Sequence, residues 1–415
     1  MFDLCHFGWD GCTIPTNLQG VCSKLPTWKN LKTLRPPQKY KDNILYFPWK
    51  YIQDSSGILF LPCYEKGILD NDGGYAQIYR GRRAVFRPTG DRTVGKVQMR
   101  KTEHFTEVCI KEVRLNITPE EDSSSPISRG KTYEDEVNAI LYEAFLHALL
   151  QKALEREGYV SAVPNLYEVI AQTKHGKIPR DPTHIQSIWI IMEYIHGTTL
   201  EKYLYIEFAS HKQYENTLLL VDIMIQLAFL LNMLQTAVGF NHRDLKINNL
   251  FVRYHTPEEN WSRVIKLSSG KSYTCLIDIV LIDFGFSCIA CGNGCINPRA
   301  TLVGAGSWFK AEHDCLKYGR DISQFLYSVH CNFPLHDYMT PAMYDILFDA
   351  MQTVKNSISI NLLDGVDIDG IPLGPTEPKQ AIKFNDGIYI FLRDTDIDVP
   401  GCKPDIFMDK LLAWV

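Results

Sequence analysis

The sequence lacks a long uninterrupted apolar run and a leader-like start. No stretch approaches the roughly 18 consecutive apolar residues that mark a membrane-spanning helix. The first residues, MFDLCHFGWDGC, contain no charged segment followed by an apolar one. Both absences argue against a membrane span and a secretory signal. We therefore expect an intracellular protein, cytoplasmic by default.

A basic excess and a concentration of cysteines are also absent. The chain has 43 Lys and Arg against 48 Asp and Glu, a formal net charge of -5, which gives the whole chain no attraction to nucleic acid or acidic membranes. A local basic patch remains compatible with this balance. The 12 cysteines are dispersed over 415 residues, unlike those of a small disulfide scaffold, so most are expected to be reduced thiols.

What is present is a composition able to bury a large core, with 45% hydrophobic residues. Residues 1–57 are rich in Trp, Tyr, Pro and Cys, and their aromatic content predicts an N-terminal extension packed on the main domain. Residues 58–195 contain about five strand patterns and one helix. Residues 196–415 are mainly helical. The predicted fold class is α+β, with two cores sharing one cleft.

The clearest local pattern is an amphipathic helix over residues 132–155, with apolar residues at spacings of three and four. Short strands are expected at 58–64, 76–86 and 106–116, with a polar loop over 89–104. A mobile Ser/Pro-rich loop is expected at 117–131, and buried strands are expected in VPNLYEVI and SIWIIMEYI. The apolar segment NTLLLVDIMIQLAFLLNMLQTAVGF is interpreted as a core helix and not as a membrane span.

Two motifs carry the chemistry. The sequence HRDLKINN, His242 to Asn249, is followed further along by Asp283-Phe284-Gly285. At these residues the chain resembles the eukaryotic-type serine/threonine protein kinases. The resemblance implies that Asp244 orients and accepts the proton of the substrate hydroxyl and that Lys246 contacts the γ-phosphate. It also implies that Asn249 and Asp283 bind magnesium.

A lysine that anchors the α- and β-phosphates is implied by the same resemblance. Lys111, in VCIKEV, stands where the family has V-A-I-K. Its partner would be a glutamate on the following helix, where Glu136 and Glu143 lie seven residues apart on nearly the same face. Glu143 is favoured because YEAFLHALL is the more apolar neighbourhood. The alternative that both glutamates are surface charges remains open.

The segment that would cover the phosphates departs from the family pattern. With Ile78 aligned to the family's valine, Asn71, Gly73 and Ala76 lie where G-x-G-x-x-G has its glycines, and Gly74 is an additional glycine. Adjacent glycines permit backbone amides to approach phosphate, although a simple hairpin turn would read the same way.

The strand ending MEYIHG resembles the connection between the two lobes of these kinases. Met192 would be the gatekeeper, and Glu193 and Ile195 would offer backbone groups to adenine. Gly197 would open the path to the next helix.

The region after Asp283 diverges most. Residues 306–312, GSWFKAE, only partly resemble the family's closing A-P-E motif, while Asp321 resembles the buried aspartate that supports the catalytic loop. Cys288, Cys291 and Cys295 form a C-x2-C-x3-C run that would bind zinc only with a fourth ligand, so dispersed reduced thiols are the favoured interpretation.

The resemblance as a whole implies a two-lobed kinase that uses ATP and Mg²⁺ and acts on a protein substrate. The divergent loops and the insertions resemble those of kinases from large DNA viruses. This resemblance implies a virion as an alternative location. Two alternatives stay open: a catalytically silent kinase-like scaffold, and a small-molecule phosphotransferase of related fold. No nucleic-acid partner is expected, and the sequence does not indicate an oligomeric state.

Overall fold

The first half of the chain forms one large sheet, and helices dominate the second half. The computed structural model describes residues 28–33, 38–39, 45–48, 52–53, 59–72, 76–89, 98–115, 132–173, 179–259, 261–267, 270–291, 294–296, 316–357 and 398–415. We call the described residues up to 193 the sheet half and those from 200 onward the helical half. The molecule is thus of mixed α and β class, with the sheet first.

The large sheet contains nine strands in the described part of the chain. They are β1 (Lys32–Thr33), β2 (Gln38–Lys39), β3 (Leu45–Pro48), β4 (Ile52–Gln53), β5 (Leu59–Asp72), β6 (Gln77–Thr89), β7 (Gln98–Arg114), β8 (Leu166–Thr173) and β9 (Ile185–Glu193). Their spatial order is β1-β8-β9-β7-β6-β5-β3-β2, and β4 pairs with β5. All pairs are antiparallel except β1 with β8.

Short strands in the second half form three small sheets among the described residues, with the strand orders β10-β12-β15, β11-β16-β17 and β13-β14. Their bounds are β10 (Gly197–Thr199), β11 (Phe240–Asn241), β12 (Leu250–Arg253), β13 (Val264–Lys266), β14 (Ser272–Thr274), β15 (Asp278–Leu281), β16 (Cys288–Cys291) and β17 (Gly294–Ile296).

The described α-helices are α1 (Tyr133–Arg156), α2 (Leu200–Ser210), α3 (Gln213–Val238), α4 (Arg320–Asn332), α5 (Leu335–Tyr338), α6 (Pro341–Ser357) and α7 (Pro404–Leu412). Single 3₁₀ turns lie at Trp28–Asn30, Val160–Ala162, Pro182–His184, Ile247–Asn249, Pro257–Glu259 and Pro400–Cys402.

Helix α1 begins at a capping box and packs on the sheet. The Thr132 hydroxyl accepts a hydrogen bond from the Asp135 backbone N–H at 3.1 Å, and the Thr132 N–H donates to the Asp135 carboxylate at 3.1 Å. These bonds satisfy backbone groups that a helix start leaves without partners. Trp28 packs nearby and donates from Nε1 to Glu134 at 3.2 Å. The start of α1 is therefore held by its own cap and by the N-terminal segment.

Helix α3 is the apolar helix that the sequence predicts as a core element. It is long and apolar enough to cross a membrane, yet 78% of its apolar window is buried inside the protein. It ends at Gly239, whose φ is +61°, and a Cβ there would lie 2.6 Å from the Ala290 Cβ. Glycine therefore suits this helix end, since it tolerates the left-handed conformation and leaves room for the neighbouring strand.

Several sequence expectations need correction. Residues 89–104 are not a loop throughout, because β6 continues to Thr89 and β7 already begins at Gln98. The polar run pairs as strand because the ladder is made by backbone groups, which need no apolar side chains. Residues 58–195 do contain five described strands, β5 to β9, but the described sheet reaches nine because four short strands between residues 32 and 53, in the predicted extension, join it. The predicted mobile loop, 117–131, lies outside the described residues.

Candidate active site

Two loops meet where β12 begins and β15 ends. The antiparallel pairing places Leu250 opposite Leu281, so the residues before β12 and after β15 lie at the same end of the ladder. The Ile282 N–H donates to the Asn249 carbonyl at 3.1 Å and continues the contact beyond the strands. The two sequence motifs, 242–249 and 283–285, are brought together by this pairing.

The first loop, residues 242–249, is held in place by Asp321, at the start of α4. Its buried carboxylate accepts hydrogen bonds from the backbone N–H groups of His242, at 2.8 Å, and Arg243, at 3.0 Å. The Asn241 side chain donates to the same carboxylate at 3.1 Å. Arg243 has a φ of +65°, which a non-glycine residue adopts only when its surroundings hold it. Asp321 thus fixes the loop backbone.

Asp244 is held between two other predicted site residues. Lys246 Nζ lies 3.0 Å from Asp244 Oδ2. The Asn249 amide donates to the same Oδ2 at 3.0 Å and to the Asp244 carbonyl at 2.8 Å. The Asp244 carboxylate is consequently fixed in direction, while the Lys246 side chain is 38% exposed and accessible from outside.

A second cluster joins the sheet half to the loop after β15. Lys111 Nζ on β7 lies 2.6 Å from Glu143 Oε1 on α1 and 3.0 Å from Asp283 Oδ1. The side chains of Lys111 and Glu143 are only 10% and 7% exposed, whereas that of Asp283 is 44% exposed. Of the two glutamates that the sequence offers, Glu143 is the one in contact with Lys111. The cluster is buried on one side and open at Asp283.

The electrostatics of this cluster keep its carboxylate at Asp283 ionised. The Lys111 ammonium is the main reason that the pKa of Asp283 falls to about 2, with burial opposing it and with smaller contributions from His242 and Lys246. Burial lowers the pKa of Lys111, but the Asp283 and Glu143 carboxylates more than offset it, and the pKa is raised overall. Lys111 and Asp283 are therefore both charged at neutral pH.

Phe284 and Gly285 pack this loop against α1. The Phe284 ring centroid lies 5.0 Å from that of His147 and 5.7 Å from that of His242. A Cβ on Gly285 would lie 3.2 Å from Glu143 Oε2, so glycine leaves room for the Lys111 partner. The orientation of Asp283, whose φ is +61°, is set by this packing on either side.

His147 is a residue of this site that the motifs did not indicate. It lies one helical turn after Glu143, is buried, and places Nε2 2.6 Å from the Pro164 carbonyl. Burial lowers the pKa of His147 to about 4, so the ring is neutral and Nε2 carries the proton that it donates to this carbonyl. The signal in the sequence was its spacing of four from Glu143, which puts both on one helix face.

The predicted phosphate-covering segment connects β5 to β6. Asp72 pairs with Gln77 and Asn71 with Ile78, while Ile78 also lies opposite Lys111 on β7. Ala76 packs against the main core. Gly73 and Gly74 lie outside the described residues. The pairing places the start of β6 next to Lys111 on β7.

The predicted adenine-contacting residues lie at the end of β9 and just beyond it. Glu193 pairs with Val108 on β7, and its N–H donates to the Asn165 carbonyl at 2.8 Å. The Ile195 side chain is nearly buried. Glu193 and Lys111 are thus on neighbouring strands of the same sheet.

The donor set fits a hard divalent cation. Asp283 offers an ionised, partly exposed carboxylate, and the Asn249 amide nitrogen donates to Asp244, so Asn249 would bind a metal through its oxygen Oδ1. Oxygen ligands of this kind suit Mg²⁺, which is usually held by one or two protein groups together with phosphates. Among the described residues no group of three or more His, Cys, Asp and Glu is arranged for a metal.

Of the cysteine run, Cys288 is the residue whose side chain the structure describes. Cys288 is buried, and burial raises the pKa of its thiol. The side chains of Cys291 and Cys295 and the whole of residues 306–312 lie outside the described part of the chain. Among the cysteines whose side chains are described, Cys109, Cys275, Cys288, Cys331 and Cys402 are not part of a disulfide.

Comparison with known proteins gives no family. A scan against protein-family models and a search of curated proteins each found no match to this chain.

Proposed function

We propose that this chain is an ATP-dependent protein kinase that transfers the γ-phosphoryl group of Mg-ATP to serine or threonine hydroxyls. In this proposal residues 58–195 form the smaller lobe and residues 196–415 the larger lobe of a kinase-type fold. The observation that carries the proposal is the position of Lys111 Nζ, within hydrogen-bond distance of both Glu143 and Asp283.

A second observation supports the same activity. Asp244, Lys246 and Asn249 are in direct contact, and the Asn249 backbone adjoins the loop of Asp283. A fixed carboxylate, an accessible ammonium and two oxygen ligands for a cation at one ladder end form the set that phosphoryl transfer needs.

Each residue then has a distinct task. Lys111, held by Glu143, would bind the α- and β-phosphates, and Asp283 and Asn249 would hold the cation. Bound Mg²⁺ would supply neutralisation of the phosphate charge. Asp244 would orient the substrate hydroxyl and accept its proton, and Lys246 would contact the γ-phosphate. Serine/threonine kinases of the family that the chain resembles carry a lysine at the position of Lys246, and Lys246 therefore favours a protein substrate.

The test is transfer of labelled phosphate from Mg-ATP to the protein itself and to generic acidic and basic proteins. An Asp244→Asn variant is expected to lose about 10²- to 10⁴-fold in rate, the usual contribution of a positioned general base. Asp337→Asn serves as the matched control, because Asp337 lies on α5 with its side chain 62% exposed. It is expected to transfer phosphate at the wild-type rate.

Other outcomes assign other functions. Nucleotide binding without transfer to any acceptor would indicate a silent scaffold. Transfer to sugars or aminoglycoside-like amines, and not to proteins, would indicate a small-molecule phosphotransferase. Absence of nucleotide binding would contradict the proposal altogether.

A further inference from the structure

The Glu193 side chain connects three parts of the molecule at the junction between the halves. One carboxylate oxygen, Oε2, accepts hydrogen bonds from the Asn165 backbone N–H at 3.0 Å and from the Asn165 amide at 2.9 Å. The other, Oε1, is ion-paired with Arg253 on β12. Glu193 therefore ties the start of β8, in the sheet half, to a strand of the helical half.

Arg253 continues this connection into the helical half. Its Nε lies 3.4 Å from Asp278 on β15, and its Nη2 donates to the Ser161 carbonyl at 3.3 Å. Arg253 and Glu193 are each only 16% exposed, and Asp278 is fully buried. A single planar guanidinium thus contacts the end of β9, the α1–β8 connection and β15, which a lysine with one ammonium group would not do.

A second arginine holds the same carboxylate from the other side. Arg263 Nη2 lies 2.5 Å from Asp278 Oδ1 and donates to the Ser161 hydroxyl at 3.0 Å. Its Nη1 donates to the Gln226 side chain on α3 at 3.2 Å. Ser161 is therefore contacted by both arginines, and the α1–β8 connection is fastened to the centre of the helical half.

The covalent crossing from sheet to helices is fastened as well. β10 begins at Gly197 and pairs with β12, so that a Cβ on Gly197 would lie 2.0 Å from the Val252 carbonyl oxygen. The crossing segment is consequently held flat against the strand that carries Arg253. The junction has three attachments: the chain itself, the Glu193–Arg253 pair and the contacts of Ser161.

We propose that Glu193, Arg253, Asp278 and Arg263 form an ionic brace that fixes the angle between the halves, and that Arg253 is a positioning residue for nucleotide binding. The proposal rests on the proposed function, since it assigns the brace to the strand end that would contact adenine. Buried, compensated ion pairs resist separation because breaking one leaves an uncompensated charge in a low dielectric. The brace keeps the cleft preorganised, and its loss weakens nucleotide binding more than the transfer step.

The test compares Arg253→Met with Lys152→Met. Lys152 pairs with Glu155 on α1 at 2.8 Å, and the exposures of that pair, 17% and 16%, match those of the brace pair. We expect Arg253→Met to weaken binding of a non-hydrolysable ATP analogue and to raise the KM for ATP, both about tenfold, with kcat changed less than about threefold. Lys152→Met is expected to change none of these.

Hydrogen exchange gives a readout that does not need activity. Backbone amides of 193–199 are expected to lose protection in Arg253→Met and in Glu193→Gln, and to keep it in Lys152→Met. The double variant Glu193→Gln/Arg253→Met should lose no more protection than Arg253→Met alone, since both substitutions break the same contact. Arg253→Lys is expected to restore nucleotide affinity only in part.

Three results would overturn the brace. One is unchanged protection of 193–199 in Arg253→Met, another is additive loss in the double variant, and the third is a parallel fall of kcat and affinity in both methionine variants. If the wild-type protein neither binds nucleotide nor transfers phosphate, the proposed function fails, and the exchange measurement alone decides whether the brace exists.

Discussion

Two charge clusters, each made of basic and acidic side chains, differ in what they leave open. In the Lys111–Glu143–Asp283 cluster one carboxylate is 44% exposed. In the Arg253–Asp278–Arg263 cluster no side chain exceeds 16% exposure and Asp278 is fully buried. A charge with an accessible face can bind something else, whereas charges compensated inside the protein hold its parts together. Exposure, more than composition, separates a candidate site from a structural connection.

The largest effect is expected where the closed cluster loses its central charge. Asp278→Asn leaves Arg253 and Arg263 facing each other, and His255, 2.8 Å away, loses this carboxylate partner while it keeps Glu259. The free energy of unfolding should fall by about 3–5 kcal/mol in a urea titration, as is usual when one member of a buried pair is removed. The control Asp405→Asn removes a surface pair with Lys403, whose contribution is about 0–1 kcal/mol. Similar losses of unfolding free energy in both variants would mean that the buried cluster contributes no more than a surface pair.

The open cluster should respond in rate before stability. Lys111→Met removes the ammonium that contacts Glu143 and Asp283, and phosphate transfer is expected to fall about 10²- to 10³-fold, the size of a lost electrostatic group. Its unfolding free energy should also fall, because Glu143, 7% exposed, loses its partner, but by less than that of Asp278→Asn, because Asp283 remains partly solvated. Steady-state transfer and urea titration measure both quantities. A stable protein with undiminished transfer would make Lys111 a structural residue.

A smaller effect separates the two glutamates of α1. Glu143→Gln weakens the hydrogen bond to Lys111, and kcat/KM is expected to fall about tenfold, as for loss of a bond between charged groups. Glu136→Gln, two turns earlier on the same helix, keeps the 2.6 Å contact between Lys111 and Glu143 intact and should match the wild type. Equal losses in the two variants would assign the effect to the helix and not to the pair.

The smallest effect is a difference of sign between two aspartates at acid pH. The pKa of Asp283 is lowered to about 2, chiefly by Lys111, so the unfolded chain binds more protons between pH 2 and the ordinary value of 3.8. Stability from Asp283 is present above pH 3.8 and is lost as the pH falls through about 2. Asp222, on α3, has its pKa raised by burial, so its contribution runs the other way and falls as the pH rises above 3.8.

Unfolding midpoints of Asp283→Asn and Asp222→Asn, measured against the wild type between pH 3 and 6, check these signs. The advantage of the wild type over Asp283→Asn should grow with pH, and its advantage over Asp222→Asn should shrink. Slopes of the same sign in both comparisons would contradict the assignment of the two environments.

Local patterns anticipated much of the sheet and the helices. The apolar spacing in α1 and α3 required burial of one face or of most of the helix, and both are buried as core elements. The polar residues 98–105 were missed as strand because they pair through backbone groups that leave no trace in hydropathy. The short strands between 32 and 53 were missed because two to four residues are too few to show a period.

The brace was not anticipated because its members are scattered along the chain. Glu193 and Arg253 are separated by 60 residues, and each alone reads as a surface charge. In the sequence Asp222 and Gln226 are polar interruptions of an apolar helix, yet in the structure Asp222 accepts hydrogen bonds from Tyr273, at 3.0 Å, and from backbone N–H groups beyond β14. Partner identity in such networks depends on which elements pack together.

The sequence by itself determined the residue types of the candidate site and their local spacing, because HRDLKINN and the Asp-Phe-Gly segment each lie within one loop. It also determined that Lys111 precedes a helix with two candidate glutamates. Only the tertiary structure decided that Glu143 is the partner, that Asp283 completes the cluster and that the Glu193 side chain connects the halves. The reason is that these contacts join residues far apart in the chain, and their distances are set by strand pairing and helix packing.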